Sequence, residues 1–151
     1  HSLLAYMGLA RGHRTVAEAV SDVRLRLALE RYWDLAAALL PAGEDLDLDR
    51  YRGQLLERFA NPRIGYPLEV IAADGLDKLR SRVLPVIAAA RRAGRSPEPA
   101  LAVTRAWARW LAGDPARAAS DQNQALLEPV LAAGRGAEQI RELLALLAAE
   151  S

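Results

Sequence analysis

The sequence predicts an all-α domain built from about eight helices of unequal length. Ala and Leu are its dominant residues, whereas aromatic residues make up 5% of the chain and Val and Ile are sparse, so helix-forming residues outnumber strand-forming ones. Apolar residues also recur at spacings of three to five along much of the chain, which is typical of helices that bury one face. A length of 151 residues suits a single domain with a substantial core.

Capping residues and apolar spacing predict the first helices. Residues 1–10 have a helical composition, and Thr15 and Glu18 have the spacing of a capping box, in which the Thr hydroxyl accepts from an amide and the Glu side chain reaches back. Ser21 or Asp22 caps a longer helix that is predicted to run to about Leu40. The apolar stripe expected to face inward on this helix comprises Val23, Leu27, Tyr32, Leu35 and Leu39.

An acidic loop over residues 44–47 is predicted after Pro41, and Asp47 or Asp49 then starts a helix that runs through Phe59. The side chains expected to face inward on that helix are Tyr51, Leu55, Leu56 and Phe59. Asn61 and Pro62 predict a break followed by a new helical start, since Asn suits the cap and Pro the first turn.

Proline and glycine divide the remainder of the chain. Pro67 is predicted to open a short helix through Ala73, and Asp74-Gly75 is predicted to be a tight turn in which Gly supplies a backbone angle that other residues resist. The remaining predicted helices span approximately residues 81–93, 99–111, 118–132 and 137–149.

Composition and motifs exclude several classes of function. A formal net charge of +1 argues against the broad basic face that tight nucleic-acid binding needs. The absence of Cys excludes a disulfide framework, a thiolate zinc site and a thiol nucleophile. His1 and His13 lack a third ligand at a usable spacing, so no metal site is predicted. No nucleotide-binding loop and no apolar run of membrane-spanning length occurs in the sequence.

Lys78 is the one lysine among 20 basic residues. A lysine can lose its proton when it is desolvated, whereas an arginine stays charged, so Lys78 is a candidate functional residue; an ordinary exposed lysine is the alternative. Trp33, Trp107 and Trp110 are expected to serve packing rather than ligand stacking. Because the chain begins HSLLAY, with neither an initiator Met nor a signal peptide, we expect it to be a piece of a longer protein.

Four stretches, in the same order and with similar spacing, resemble the C-terminal domain of the mannitol dehydrogenase family. These zinc-independent, polyol-specific long-chain dehydrogenases include fructuronate and tagaturonate reductases. The four stretches are HSLLAYMGLARGHRTV at residues 1–16, LLERFANP at 55–62, IAADGLDKLRSRVLP at 71–85 and AWARWL at 106–111. Their colinearity, over residues 1 to about 132, carries the resemblance more than any single motif does.

The resemblance implies a helical domain like the C-terminal domain of 6-phosphogluconate dehydrogenase. An N-terminal Rossmann-type domain, absent from this chain, would bind NAD or NADP, and the substrate would lie between the two domains. Residues 1–151 would then be the substrate-binding half of an oxidoreductase that interconverts a sugar alcohol or aldonate and the corresponding ketose or keto-acid. The isolated chain is therefore expected to be inactive.

The resemblance also implies roles for two residues. His1 matches the family's catalytic His, whose imidazole helps to stabilise a developing alkoxide, while the catalytic Lys and Asn would precede this chain. Lys78 matches a lysine that contacts substrate hydroxyls or a carboxylate. No cofactor-binding residue and no metal ligand are expected in this segment.

Two departures from the family pattern put the substrate in doubt. Val70 stands where family members that act on hexitols commonly carry Arg, and Leu76-Asp77 replaces a usual polar pair, so substrate recognition is expected to differ. The alternative function is a non-catalytic helical protein–protein interaction module. For His1 the alternative is a frayed terminal residue or a remnant of a cloning tag. The expected partners are a small sugar alcohol or sugar acid and the N-terminal domain, with no nucleic acid or membrane, and a cytoplasmic location is expected.

Overall fold

The structure, a computed structural model, describes residues 1–41, 47–114 and 116–117. Within these ranges no β-strand occurs, and one isolated antiparallel bridge joins Thr15 to Pro67, which confirms the all-α fold class. The helices are α1 (Ser2–Leu9), α2 (Val16–Ser21), α3 (Val23–Ala38), α4 (Leu48–Ala60), α5 (Leu68–Ala72), α6 (Gly75–Lys78), a π-helical turn (Leu79–Val83), α7 (Leu84–Arg92) and α8 (Glu98–Ala112). The predicted helices at 118–132 and 137–149, and residues 44–46 of the predicted acidic loop, lie outside the described residues.

Helix α1 lies at the centre of the domain. Its residues Leu4, Ala5 and Tyr6 are fully buried, and the helix packs against α2, α3, α5 and α8. The Tyr6 hydroxyl donates a 3.0 Å hydrogen bond to the backbone oxygen of Ala72 at the end of α5. On α8, Trp107 is fully buried, which confirms the packing role predicted for this tryptophan.

The predicted caps are present. Thr15 Oγ1 accepts from the Glu18 amide at 3.2 Å, and Glu18 Oε2 accepts in return from the Arg14 amide at 2.7 Å. Asp22 caps α3 by accepting from the Arg24 amide at 2.9 Å, and Asp47 caps α4 by accepting from the Arg50 amide at 3.0 Å. Short polar side chains therefore set the starts of α2, α3 and α4.

The inward stripe predicted for α3 is partly wrong. Val23 and Leu27 are 67% and 48% exposed, whereas Leu25, Leu29 and Leu35 are buried. Both Val23–Leu27 and Leu25–Leu29 have the four-residue spacing of one helix face. The neighbouring helices α1, α2 and α8 pack on α3, and it is the Leu25–Leu29 face that they cover.

Two predictions around α4 are also wrong. Tyr51 is 58% exposed, and Phe59 is the buried residue of this helix. No helix restarts at Pro62; residues 62–64 form a turn in which Asn61 Oδ1 accepts from the Arg63 amide at 3.0 Å. A short polar side chain can cap such a turn as readily as a helix.

The helix predicted from about residue 81 begins six residues earlier, at Gly75, and passes through the π-helical turn before α7. Pro85, in the first turn of α7, cannot donate to the carbonyl of Ser81. A wider π turn accommodates this missing hydrogen bond without ending the helix.

Asp74, and not Gly75, has the positive φ at the start of α6. The φ angle of Asp74 is 55°, so the prediction that Gly75 supplies the unusual backbone angle is wrong. Gly75 is buried, and a Cβ at this position would clash with Trp107 Nε1 and would lie 2.6 Å from the Tyr6 hydroxyl oxygen. Close packing, rather than backbone conformation, requires glycine at this position.

Candidate functional site

A pocket of about 250 Å³ lies where the start of α1, the end of α4, the 61–70 segment and the α6–π turn region meet. Its polar lining side chains are His1, Arg58, Asn61, Tyr66, Lys78 and Arg82. The two site residues predicted from the sequence, His1 and Lys78, therefore line the same pocket although 77 positions separate them along the chain. The other four residues were not predicted as site residues from the sequence.

His1 is held at the pocket by its backbone and by its ring. Its carbonyl accepts from the Ala5 amide at 2.8 Å, which begins α1. Its imidazole packs edge-on against the Phe59 ring, with the ring centroids 4.5 Å apart and the planes at 61°. Within the described residues the imidazole forms no hydrogen bond, so its nitrogens are available to a ligand in the pocket.

Lys78 is fixed by two strong hydrogen bonds. Its Nζ donates to the backbone oxygens of Ile71 at 2.7 Å and of Ala73 at 2.6 Å, at the carboxyl end of α5, where helix carbonyls lack intrahelical partners. A lysine ammonium has three donors, so one N–H of Lys78 is left for a ligand. The residue thus joins α6 to α5 and also contributes a positive charge to the pocket.

Arg58 and Arg82 add two further cations. Arg58 lies in the last turn of α4 and Arg82 in the π-helical turn, and in the described part of the chain neither guanidinium has a hydrogen bond or an ion pair. Both residues lie within stretches that carry the family resemblance, which is the signal that could have identified them. Their shared position at the pocket became apparent only from the fold, which brings these stretches together.

The three cations determine the electrostatics of the pocket. Arg58, Lys78 and Arg82 line it, and no acidic side chain is among its described lining residues. The field in this pocket is therefore positive and favours an anion or an electron-rich oxygen.

Two backbone hydrogen bonds hold the segment from Tyr66 to Val70, which lines one side of the pocket. The Val16 amide donates to the Tyr66 carbonyl at 3.1 Å, and the Leu68 amide donates to the Arg14 carbonyl at 2.8 Å. These bonds hold the segment that carries Tyr66 and Val70 beside α2. Val70 is exposed and lines the pocket, so the departure noted in the sequence lies at the candidate site.

The second histidine lies elsewhere. His13 Nε2 is 3.1 Å from Asp22 Oδ2, and Arg11 Nε donates to the same oxygen at 2.7 Å. The hydrogen bond with His13, followed by the one from Arg11, holds the pKa of Asp22 well below its usual range. Among the described residues, no group of three or more His, Asp or Glu side chains is placed to hold a metal ion.

Comparison with known proteins identifies the family. The family model for the mannitol dehydrogenase C-terminal domain matches residues 1–149. The chain belongs to this family. The match confirms the family resemblance found in the sequence. No solved structure matches the chain.

Several oxidoreductases are similar to this member of the family. The D-mannonate oxidoreductase of Escherichia coli is 34% identical over 157 aligned residues, which cover 97% of this chain and 31% of the relative. The D-arabinitol 4-dehydrogenase of Ralstonia nicotianae is 33% identical over 64% of the chain and 21% of the relative. Mannitol dehydrogenase 2 of Saccharomyces cerevisiae is 30% identical over 95% of the chain and 30% of the relative. The chain spans less than a third of the length of these relatives.

No helix in the described ranges combines the length and the hydropathy needed to cross a bilayer.

Proposed function

We propose that the chain is the substrate-binding half of an NAD(P)-dependent oxidoreductase that interconverts a sugar alcohol or aldonate and the corresponding ketose or keto-acid. The observation that carries this proposal is that His1 and Lys78 line one pocket in a chain whose family is that of a dehydrogenase domain. The names of three relatives, a mannonate oxidoreductase, an arabinitol dehydrogenase and a mannitol dehydrogenase, support a small polyhydroxylated substrate. A cytoplasmic location is part of the same proposal.

The roles proposed for the two residues are those that the family resemblance implies, and their surroundings support them. The His1 imidazole, which has no hydrogen bond within the described residues, would act as the catalytic group that donates to the reacting oxygen and stabilises its developing charge. Lys78 would bind a substrate hydroxyl or carboxylate with its remaining N–H, since its other two donors are engaged by Ile71 and Ala73. Two fixed bonds would hold that donor in one place, and this lowers the cost of ordering it around a substrate.

The nicotinamide cofactor is proposed to bind mainly outside this segment. The described residues contain no strand, whereas a Rossmann-type dinucleotide site is built on a strand followed by a glycine-rich turn and a helix. We therefore propose that a separate N-terminal Rossmann-type domain of the full-length protein binds NAD or NADP and closes the pocket from the other side. The isolated chain would then be inactive.

Oxidation of a panel of sugar alcohols and aldonates by the full-length protein, with NAD and with NADP, tests this function. We expect turnover of at least one member, and His1→Ala should lower kcat on the order of 100-fold because one donor to the reacting oxygen is lost. His13→Ala is the matched control, because His13 lies outside the pocket and pairs with Asp22. A full-length protein that oxidises no member of the panel would overturn the proposal and favour the interaction-module alternative.

A further inference from the structure

The candidate pocket contains three cations and no matching anion. Arg58, Lys78 and Arg82 line it, and no acidic side chain is among the described residues that do so. Elsewhere in the described ranges, four arginines form ion pairs with carboxylates: Arg11 with Asp22, Arg26 with Glu30, Arg52 with Asp34 and Arg105 with Glu98. Other described arginines, such as Arg50 and Arg80, also have no ion pair. Among the described arginines, Arg58 and Arg82 are distinguished by their position, because they line the candidate pocket.

The three cations differ in how many donors they can offer a ligand. Lys78 uses two of its donors on the carbonyls of Ile71 and Ala73, which leaves one for a hydroxyl. In the described part of the chain, Arg58 and Arg82 use none of their side-chain donors. A guanidinium presents a planar fork of N–H groups that matches the two oxygens of a carboxylate, and it stays charged at any working pH.

A neutral sugar alcohol would not make use of this arrangement. Its hydroxyls accept hydrogen bonds but bring no negative charge, so they would not use the charge or the paired N–H groups of the two guanidiniums. A sugar acid differs from the sugar alcohol at a terminal carbon, where a carboxylate replaces a hydroxymethyl group. It would supply both the charge and the paired oxygens.

We propose that the substrate of this protein is a sugar acid, and that Arg82 and Arg58 select it by binding its carboxylate while Lys78 binds a hydroxyl. This inference rests on the proposed function and specifies its substrate class. The carboxylate takes no part in the redox step, so the two arginines are specificity residues and their loss affects recognition more than turnover. The 34% identity to a D-mannonate oxidoreductase agrees with this choice, although mannitol and arabinitol dehydrogenases are also among the relatives.

The test compares acid and alcohol of the same stereochemistry in the full-length protein. The matched pairs are D-mannonate with D-mannitol, D-altronate with D-altritol and D-gluconate with D-glucitol. We expect kcat/KM to be higher for the acid in at least one pair. Arg82→Met and Arg58→Met should each raise KM for that acid on the order of 10- to 100-fold, with a smaller change in kcat. Arg80→Met is the matched control, since Arg80 is exposed on the same π-helical turn and does not line the pocket.

The outcomes separate this inference from the proposed function. A drop in the acid-to-alcohol ratio of kcat/KM in the Arg82 and Arg58 variants, but not in the Arg80 variant, would support selection by the carboxylate. Oxidation of alcohols in preference to every matched acid would overturn the inference and leave the proposed function standing, and so would equal losses on both substrates in the arginine variants. Oxidation of neither class would overturn both. Thermal stabilisation of the full-length protein by the acid but not by the alcohol provides a second readout that does not depend on turnover.

Discussion

Gly75 lies against Trp107 so closely that no side chain fits between them. A Cβ on Gly75 would overlap the indole nitrogen of Trp107 and would lie 2.6 Å from the Tyr6 hydroxyl oxygen. Gly75 is the first residue of α6 and Lys78 is the last. The contact between Gly75 and Trp107 therefore also helps to fix the position of Lys78 relative to the core.

Gly75→Ala should therefore destabilise the domain by about 2 kcal/mol or more, since the fully buried Trp107 and Tyr6 would have to shift to admit the methyl group. Gly53→Ala is the matched control. A Cβ at Gly53, in the exposed middle of α4, would meet nothing within 4 Å, and this substitution should raise the free energy of unfolding by up to about 1 kcal/mol. Urea unfolding of both variants measures the difference. Equal stabilities for the two variants would show that the α6–α8 contact is looser than described.

Phe59 connects the core to the candidate site. It is 5% exposed, and its ring packs edge-on against His1. Phe59→Ala should lower the free energy of unfolding by about 3 kcal/mol through the lost burial and the cavity that remains. Tyr51→Ala, on the exposed face of the same helix, is the control and should cost far less. If the melting temperature of Phe59→Ala matched that of Tyr51→Ala, the assignment of the inward face of α4 would fail.

Lys78 has a structural role that was not predicted from the sequence, since its ammonium group joins α6 to the end of α5. Lys78→Met keeps most of the apolar stem but leaves the Ile71 and Ala73 carbonyls without their charged donor. We expect a loss of stability of about 1–3 kcal/mol, measured by chemical unfolding, together with a higher KM in the full-length protein. Wild-type stability and wild-type kinetics in this variant would contradict both roles.

Asp22 should make the stability of the domain depend on pH in the acidic range. The hydrogen bond with His13, followed by the one from Arg11, holds the folded-state pKa of Asp22 well below its usual range. A depressed carboxyl pKa gives a contribution that is fully present above the unfolded-state pKa and is lost as the pH falls through the folded-state pKa. The midpoint of urea unfolding should therefore decrease as the pH falls below about 4.

Asp22→Asn should make this decrease shallower while retaining the cap on α3, because Asn also accepts from the Arg24 amide. Asp49→Asn is the control, since Asp49 has no ion pair among the described residues. Identical acid profiles for wild type and Asp22→Asn would count against the Arg11–His13–Asp22 cluster.

Tyr32 should make the stability of the domain depend on pH in the alkaline range. Burial raises its pKa from 10.0 to about 12, and its hydroxyl donates to the Arg82 carbonyl at 3.1 Å. Below pH 10 the phenol is neutral in both folded and unfolded states and contributes no pH dependence. Between about pH 10 and about pH 12 the unfolded state ionises first, so stability falls as the pH rises. Tyr32→Phe should make this loss of stability with rising pH smaller. Tyr51→Phe is the control, and because it changes an exposed side chain it should leave the loss unchanged. The midpoints of urea unfolding at several alkaline pH values measure the difference.

Local chemistry predicted much of the fold. The starts of α2, α3 and α4 depend on Thr15, Asp22 and Asp47, and each of these side chains bonds to an amide within three residues of itself. Such interactions need no information from the rest of the chain. The choice of buried face on α3 was not predictable in this way, because Val23–Leu27 and Leu25–Leu29 satisfy the same spacing rule.

The start of the helix at Gly75 was missed for a related reason. From the sequence, Pro85 indicates that a helix begins a few residues before it. In the structure the helix has already begun at Gly75, and the π-helical turn from Leu79 to Val83 allows it to continue past Pro85. The sequence also pointed to Gly75 as the residue with the unusual backbone angle, whereas Asp74 has the positive φ. Neither feature has a local sequence signature strong enough to predict it.

The sequence by itself determined the helical class, most helix boundaries within the described residues, and the family, because capping, helix propensity and colinear motifs are read along the chain. It also singled out His1 and Lys78 as candidates. Only the tertiary structure decided that these two residues line one pocket with Arg58 and Arg82, and that Lys78 joins α5 to α6. Those relationships join residues far apart in sequence, and only the packing of α1, α4 and α6 with the segment between them brings the side chains together.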